Sequence, residues 1–320
     1  MVNEFRPYPI IAGPTASGKT AVAVSLAKRL NGEVVSADSM QIYEDIYIGT
    51  ARPTPDEMQG IPHHLLGFVP LDESYSVARY TEDADRVFNE IFARKKTPIL
   101  CGGTGLYIQS FSENIQFFPH EPNETLRAQL KARAAAEGTA ALLEELRIVD
   151  AETAARLHEN DLNRIIRALE VYHTTGHTIS EQARFSKAIP SPYTRCLFLL
   201  NFRDRNTLYQ RIERRVDAML ENGLLEETAQ VYNNSPRATV LQAIGYKELL
   251  PYLRREETLE SVVSQLKVST RHYAKRQLSW FNRMDGVRTI WVDDFANIDL
   301  LVDEIVRQFT TFCKEGKRDG

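Results

Sequence analysis

The sequence predicts an α/β fold, in which a parallel sheet is flanked by helices and interrupted by an all-helical insertion. The first observation is a series of short apolar or β-branched stretches, typical of buried strands, separated by helical segments. These stretches are residues 8–12, 33–37, 98–101 and 196–201. The second is the interval from about residue 121 to 186, where Ala, Leu, Glu and Arg recur at helical spacing without a strand pattern. Alternating strands and helices favour a parallel sheet. Because residues 121–186 show no strand pattern, they are expected to form a helical insertion that packs beside this sheet.

The third observation is a glycine-rich turn, residues 13–20, that follows the first strand and precedes a helical pattern. It fits the spacing G-x-x-x-x-G-K-[ST], in which backbone N–H groups and the positive helix end bind an anion. Lys19 adds a charge for the outer phosphate, and the Thr20 hydroxyl can hold Mg²⁺. A chance glycine-rich turn is disfavoured, because a buried strand precedes the turn and a helical pattern follows it. The core is therefore expected to be P-loop NTPase-like. The predicted diphosphate- or nucleotide-binding residues are Gly13, Pro14, Thr15, Ala16, Ser17, Gly18, Lys19 and Thr20.

The second strand is followed by Asp38, at the carboxyl end where parallel sheets bind ligands. Near a phosphate an acid can bind Mg²⁺ or act as a general base, whereas the alternative is a helix N-cap. The strand at 98–101 ends in glycines, not in the aspartate that P-loop ATPases usually carry. Residues 289–294 do show an apolar stretch that ends in aspartate. They come so late in the chain that an edge strand with a capped turn is favoured. ATP hydrolysis is therefore disfavoured.

A second glycine-rich turn, residues 102–105, follows the third strand. Its glycines let the backbone approach a ligand closely, and Thr104 offers a hydroxyl there. The alternative is a tight strand-to-helix turn. In a parallel sheet this turn would share the mouth of the phosphate site, so a ligand contact is favoured.

The adjacent pair His63 and His64 raises the question of a metal site. Neighbouring residues cannot share one face of a regular element. A positioning or packing role is therefore favoured over metal binding.

The change in residue pattern also predicts the domains. These are an α/β core of residues 1–118 and 195–313, a helical insertion of residues 119–194 and a flexible tail of residues 314–320. Further helices are predicted at residues 79–95, 205–222, 224–234, 245–254, 257–283 and 297–313, with a strand at 288–292.

Composition narrows the class of protein. The net charge of −4 and a pI of about 6.0 argue against a generic nucleic-acid coat. The three cysteines are far apart, which indicates reduced thiols rather than disulfides or a zinc site. The first residues are polar and no apolar run nears the eighteen residues of a membrane span. A soluble, cytoplasmic protein is expected.

The helix predicted at 205–222 is rich in arginine. Arg211 and Arg215 are four residues apart and face one way, while Arg214 is expected to point elsewhere. One inward arginine would neutralise a departing pyrophosphate, as an arginine finger does. The alternative is a salt-bridged, solvent-exposed face.

A second cationic stretch covers residues 267–283. Lys267, Arg271 and Lys275 are spaced i,i+4 among aromatic residues, with Arg276 beside them. Cations that bind phosphates beside aromatic rings that stack on bases are typical of single-stranded RNA binding. The aromatic residues Trp280 and Phe281 fit a core position equally well.

Nine motifs occur in order along the chain. They are GPTASGKT at 13–20, DSMQIY at 38–43, IGTARP at 48–53, PHHLL at 62–66, GGTGLY at 102–107, NRIIRALE at 163–170, QRIERR at 210–215, IGYKE at 244–248 and TRHYAKRQLSWF at 270–281. Together they resemble the motifs of the tRNA dimethylallyltransferase (tRNA isopentenyltransferase) family, bacterial type. The chain departs from the family pattern at Arg52, where Lys is more usual, and at Asn163, where Gln is commoner.

The resemblance implies transfer of a dimethylallyl group from its diphosphate to N6 of adenine 37 in tRNA, with release of diphosphate. It implies that Lys19, Arg211 and Mg²⁺ stabilise the leaving diphosphate and that Thr20 is the metal ligand. Asp38 would accept the N6 proton, and Thr104 would help to hold the diphosphate. The expected partners are tRNA and dimethylallyl diphosphate, without a membrane, and the protein is expected to be a monomer.

The resemblance also implies that adenine 37 is flipped out of the anticodon loop. In the insertion, the residues expected to grip the anticodon arm are Asn163, Arg164, Ile165, Ile166 and Arg167. In the core, the expected tRNA contacts are Asp38, Ser39, Met40, Gln41, Thr104, Gln242, Ala243, Ile244, Gly245, Tyr246, Lys247, Arg271, Lys275 and Arg276.

Three alternatives remain at the level of sequence. A P-loop small-molecule kinase would consume ATP and would not need the helical insertion. Prenyl transfer to free adenine nucleotides would not need the basic helix. A non-catalytic, nucleotide-gated RNA-binding protein would not need Asp38 as a base.

Overall fold

The computed structural model describes residues 5–119, 122–235 and 239–316. Contacts divide the chain into an α/β unit, Met1–Ser112 with Pro192–Gly320, and a helical unit, Glu113–Ser191. The first division comes earlier than the boundary expected at residue 118. The reason is that the segment after Ser112 bonds within the helical unit, where the Gln116 N–H donates to Ser186 Oγ at 2.9 Å.

A six-stranded parallel sheet forms the centre of the α/β unit and confirms the predicted fold class. The strands are β1 (Pro7–Ala12), β2 (Gly32–Ser36), β3 (His63–His64), β4 (Thr97–Gly102), β5 (Thr194–Asn201) and β6 (Arg288–Trp291). Their order across the sheet is β3-β2-β4-β1-β5-β6. β3 was not predicted, because a strand of two residues has no periodicity that a sequence can show. Ala12 at the end of β1 pairs with Gly102 at the end of β4, and also with Leu199 of β5. The two glycine-rich turns, which follow β1 and β4, therefore begin next to each other at the same edge of the sheet.

Helices of the α/β unit cover both faces of the sheet. In chain order, the helices of the two units are α1 (Lys19–Leu30), α2 (Pro55–Met58), α3 (Val77–Ala93), α4 (Gly105–Ser112), α5 (Glu124–Glu137), α6 (Thr139–Val149), α7 (Ala151–Ala154), α8 (Leu162–Thr175), α9 (Ile179–Ala188), α10 (Arg205–Glu221), α11 (Leu224–Asn234), α12 (Leu250–Leu253), α13 (Leu259–Phe281) and α14 (Ile298–Gly316). Short 3-10 turns occupy Thr239–Gln242 and Val292–Asp294. In the described part of the chain, no helix is long and apolar enough to cross a membrane.

The alternation of side chains along β1 divides the core in two. Ile10 packs in one buried cluster with residues of α3 and α4, and Phe281 of α13 lies in that same cluster. Ile11 packs in the other, with residues of α1 and α14. Successive residues of a strand point to opposite faces, so one buried strand supports both layers. Phe281 is fully buried, which assigns it to the core rather than to an exposed surface.

The helix predicted at residues 245–254 is wrong, since only Leu250–Leu253 is helical. Gly245 has φ +107°, in the left-handed region, and its N–H donates to Glu248 Oε2 at 3.0 Å. The left-handed φ keeps Gly245 itself out of the α-helical conformation. The tail predicted as flexible from residue 314 is also partly wrong, because α14 continues to Gly316. Residues 317–320 lie outside the described residues.

His63 and His64 have structural partners. His64 Nε2 lies 2.7 Å from Glu33 Oε2, and the ring nitrogen Nδ1 of His63 lies 2.8 Å from the carbonyl oxygen of Ile61. Among the described residues, no group of His, Cys, Asp and Glu has the arrangement of a metal site. β6 is the edge strand that the sequence predicted, but the turn after it has no side-chain cap. Asp293 instead accepts the N–H groups of Arg203 and Asp204, in the loop before α10.

The helical unit, α5 to α9, has its own core, and its described residues form no strand. Ile165 and Ile166 of α8 lie in that core, with 0% and 3% of their surface exposed. The expectation that they contact tRNA is therefore wrong, because they are the apolar stripe of an amphipathic helix. Glu170 is fully buried, accepts the N–H of Asn123 and pairs with Arg167 at 2.9 Å.

Candidate active site

Residues 13–18 form a tight loop between β1 and α1. Gly18 has φ +92° and precedes the first turn of α1, where it has no side chain to occupy the free N–H groups. A Cβ on Gly13 would lie 2.9 Å from the carbonyl oxygen of Leu200, so this position also needs glycine. The first turn of α1 contains no acidic residue. The loop thus leaves an anion-binding site at a helix N-terminus.

Lys19 and Ser17 give this loop a polarity that suits a phosphate. Lys19 Nζ donates to the carbonyl oxygen of Pro14 at 2.8 Å, and burial lowers the pKa of Lys19 to about 8. The Ser17 hydroxyl is buried and has no hydrogen-bond partner within the described part of the chain. A bound phosphate would satisfy the hydroxyl and offset the buried charge.

Arginines of α10 lie next to the loop of residues 13–18. Arg211 Nε donates to the carbonyl oxygen of Ala16 at 2.8 Å, and Arg211 and Arg215 both line the adjoining cavity. Burial lowers the pKa of both guanidinium groups. Arg214 also lines the cavity, so the prediction that it points elsewhere is wrong. The reason is that the cavity extends along α10 from Arg211 to Met219 and therefore reaches more than one side of the helix.

Asp38 follows β2 with a fixed orientation. Its Oδ1 accepts the backbone N–H groups of Met40 at 2.9 Å and Gln41 at 3.4 Å. Its Oδ2 makes no hydrogen bond with any residue that the structure describes. One carboxylate oxygen is therefore anchored while the other is available to a ligand in the cavity that Asp38 lines.

Thr104 is bonded to the segment that carries Asp38. Its Oγ1 accepts the Ser39 N–H at 3.0 Å and donates to Ser39 Oγ at 3.3 Å. Thr104 is not among the residues that line the cavity. Its visible contact thus positions the Asp38–Ser39 turn.

A cavity of about 850 Å³ joins these groups. Residues of the phosphate loop, the Asp38 turn, α10 and α13 all contribute to its wall. Its apolar side is formed by Val216, Met219, Ile244 and Leu266. The cavity therefore combines a cationic end for an anion, a carboxylate and an apolar surface.

The sequence is similar to those of known proteins. A profile described as IPP transferase matches residues 41–284. The chain belongs to the IPP transferase family. Relatives in this family include a tRNA dimethylallyltransferase from Thermoanaerobacter sp. (strain X514), 45% identical over 303 residues that cover 93% of this chain and 96% of the relative. Another, from Pelotomaculum thermopropionicum, is 41% identical over 316 residues, or 98% of each chain.

Solved structures agree with this family. A tRNA isopentenylpyrophosphate transferase from Bacillus halodurans is 39% identical, with a TM-score of 0.74 and coverage of 98% of this chain and 99% of that chain. A eukaryotic dimethylallyltransferase described as acting on tRNA is 32% identical, with a TM-score of 0.77. It covers 90% of this chain, which in turn covers 74% of it. The resemblance inferred from the motifs is confirmed, and the protein is an enzyme of the transferase class.

Most residues predicted to contact tRNA in the α/β unit of this IPP transferase come together at the cavity. The cavity-lining residues among them are Asp38, Ser39, Met40, Gln41, Gln242, Ala243, Ile244, Gly245, Lys247 and Arg276. Thr104, Tyr246, Arg271 and Lys275 do not line it. Tyr246 is fully buried and its hydroxyl donates to Glu227 Oε1 at 2.8 Å. The prediction of an RNA contact for Tyr246 is therefore wrong.

The cations of α13 differ in their surroundings. Lys267 pairs with Asp217 at 2.6 Å and Arg271 with Glu213 at 2.8 Å, so both are engaged with α10. Lys275 is exposed and has no ion-pair partner among the described residues. In the helical unit, Asn163 and Arg164 are exposed on α8. Lys275 is thus more available to a phosphate than Arg271.

Gln277 is buried on α13 and has a structural role that was not predicted from the sequence. Its Oε1 accepts the Thr15 N–H at 2.9 Å, and its Nε2 donates to the carbonyl oxygen of Gly103 at 2.9 Å. One amide thereby joins the two glycine-rich turns. A signal existed, since Thr270, Ala274 and Phe281 form a buried stripe at helical spacing and Gln277 is a polar residue on it.

Proposed function

We propose that this protein transfers a dimethylallyl group from dimethylallyl diphosphate to N6 of adenine 37 in tRNA, releasing diphosphate. The observation that carries this proposal is that the phosphate loop and Asp38 line one cavity. That cavity also has apolar walls, which suit a prenyl chain. Family membership supports transfer to tRNA over phosphoryl transfer.

The residues divide the work by charge. The diphosphate binds at the N-terminus of α1, next to Lys19 and Arg211. As N6 bonds to the allylic carbon, the carbon–oxygen bond breaks and its electron pair leaves with the diphosphate. Cations fixed beside the leaving oxygens stabilise that charge as it develops.

Asp38 takes the proton that N6 must lose. An exocyclic amine of adenine is a weak nucleophile, because its lone pair is delocalised into the ring. Oδ1 of Asp38 is anchored by two N–H groups, so Oδ2 is the oxygen positioned for the proton. Holding base, nucleophile and donor in one geometry provides much of the rate acceleration.

Mg²⁺ fits the residues present. The Thr20 hydroxyl lines the cavity and makes no hydrogen bond within the described residues. Mg²⁺ characteristically binds one or two protein groups together with substrate phosphates, so a dense carboxylate cluster is not needed. Bound to Thr20 and the diphosphate, the ion would supply further charge for the leaving group.

Proposals about partners follow from the same chemistry. The base must leave its stack to reach a cavity, so adenine 37 is expected to be flipped out of the anticodon loop. We expect the exposed cations of α13, and Asn163 and Arg164 of the helical unit, to contact the anticodon arm. The proposed active unit is a monomer, since one α/β unit contains the phosphate loop, Asp38 and Arg211.

The test uses an unmodified anticodon stem-loop with A36-A37-A38, labelled dimethylallyl diphosphate and Mg²⁺. The expected result is one label per RNA, on adenine 37, and none on a matched stem-loop with guanine at 37. Free AMP and ATP serve as parallel acceptors. Label on AMP would instead indicate a free-nucleotide prenyltransferase, and absence of label everywhere would reject prenyl transfer.

A further inference from the structure

Two loops on the wall of the cavity are tied to one carboxylate. The first, residues 47–51, contributes Gly49, Thr50 and Ala51 to the cavity, and the second, residues 242–247, contributes residues on both sides of Tyr246. Both contact Glu227, in the first turns of α11. Glu227 is not part of any motif that the sequence analysis singled out.

Glu227 accepts four hydrogen bonds from these loops. Its Oε2 accepts the N–H groups of Tyr47 at 2.7 Å and Ile48 at 2.9 Å. Its Oε1 accepts the Gly49 N–H at 2.8 Å and the Tyr246 hydroxyl at 2.8 Å. Three consecutive backbone N–H groups directed at one carboxylate form an anion nest, here filled by the protein itself.

The two loops also touch directly where Glu227 binds them. A Cβ on Gly49 would lie 2.5 Å from the ring of Tyr246, so the ring packs flush against the glycine backbone. Burial raises the pKa of Tyr246, and the nearby charge of Glu227 adds to this, so the hydroxyl stays protonated and can donate. Moving either loop would therefore break contacts in the other.

The far end of the first loop is held by a different group. Gln41 Nε2 donates to the carbonyl oxygens of Thr50 and Ala51, each at 3.1 Å. Glu227 thus binds the donors at the start of this loop, and Gln41 binds the acceptors at its end. Gln41 is itself on the cavity wall.

We propose that Glu227 is a positioning residue that locks loops 47–51 and 242–247 together as the acceptor-RNA side of the cavity. This inference rests on the proposed function for the identity of the acceptor. Glu227 acts through the backbone of other residues, so we do not regard it as catalytic. Its loss should weaken the fit of the RNA while sparing the phosphate loop, to which it makes no hydrogen bond.

The test compares Glu227→Gln with Glu226→Gln, its exposed neighbour on the same helix. Glutamine has only one acceptor oxygen, so its NH₂ group would face two of the groups that now donate hydrogen bonds to Glu227. In Glu227→Gln, amide hydrogen exchange at residues 47–49 should accelerate by about tenfold or more, as expected for loss of hydrogen bonds to a charged group. The KM for the stem-loop should rise by a similar factor, with pyrophosphate affinity and kcat changed less than threefold.

A milder variant keeps the test valid if Glu227→Gln folds poorly. Tyr246→Phe removes one of the four hydrogen bonds and keeps the ring against Gly49, so it should change both readouts in the same direction by a smaller factor. Unchanged exchange at residues 47–49 in Glu227→Gln, or equal loss of pyrophosphate and RNA affinity, would overturn the proposal. The exchange measurement needs no substrate, so its outcome stands even if the proposed prenyl transfer fails its own test.

Discussion

Gln277 and Thr15 are 262 positions apart in the chain, yet the Thr15 N–H donates to the Gln277 side chain at 2.9 Å. The other end of the same amide donates to the carbonyl oxygen of Gly103. A primary amide carries an acceptor oxygen and a donor NH₂ group, so it can accept from one backbone group and donate to another. The phosphate loop of this transferase is therefore supported by a helix from the opposite end of the sequence.

Replacing Gln277 with Leu should loosen the phosphate loop. The variant removes the side-chain partner of the part-buried Thr15 N–H and of the buried Gly103 carbonyl, at a cost of about 1–3 kcal/mol for the buried carbonyl. We expect pyrophosphate to bind about tenfold more weakly, as measured by calorimetry, with a lower melting temperature. Gln265→Leu is the matched control, because Gln265 is exposed on α13 and donates to Ser269 on its own helix rather than to a glycine-rich turn. Equal pyrophosphate affinity in both variants would contradict the role.

Asp38→Asn should reduce turnover and leave RNA affinity nearly intact. Asparagine keeps an oxygen that can accept the N–H groups of Met40 and Gln41, so the turn is retained, but it cannot take a proton. Loss of a general base typically lowers kcat by a factor on the order of 10² to 10⁴. Single-turnover transfer to the stem-loop measures this. Asp45→Asn, at an exposed position, is the control, and an unchanged rate in Asp38→Asn would exclude the residue as the base.

The cations of α13 should contribute unequally to RNA binding. Lys275 is exposed, whereas Arg271 is paired with Glu213, so a phosphate must compete for Arg271 but not for Lys275. We expect Lys275→Gln to lower the slope of log K against log salt by about one, as for one lost phosphate contact. Arg271→Gln should change it less. Filter binding over a salt series gives both slopes, with Lys314→Gln on α14 as control; a larger change for Arg271 would reverse this assignment.

The parts of this site that lie within short segments could be predicted from sequence, and those that depend on distant segments could not. The loop at residues 13–20 and the acid after β2 are local patterns, and their place at the carboxyl edge follows from the parallel sheet. Gln277 and Glu227 act on segments far away in the chain, so no local pattern assigns them a partner. Tyr246 was misread because a polar-looking IGYKE segment gave no sign that its ring is buried against Gly49.

A similar limit applied to α8. Residues 163–167 were expected to contact RNA as a block, but a helix divides its residues between two environments. Ile165 and Ile166 fall on the buried side and Asn163 and Arg164 on the exposed side. Amphipathic spacing, which was visible in the sequence, separates these roles when it is applied residue by residue.

The last prediction concerns pH. Burial lowers the pKa of Lys19 from its ordinary value of 10.5 to about 8, so below pH 8 the empty site already holds a charged lysine, and above pH 8 that charge is lost. An anion bound beside Lys19 stabilises the protonated form, so pyrophosphate affinity should be highest below pH 8 and should fall by up to about tenfold per pH unit above it. Pyrophosphate itself titrates, and Lys19→Arg provides the control, because arginine stays charged throughout this range. Calorimetric Kd values from pH 6.5 to 9.5 should diverge between the two proteins above pH 8. Parallel curves would mean that Lys19 keeps its proton in the free enzyme throughout this pH range, and that burial does not lower its pKa to about 8.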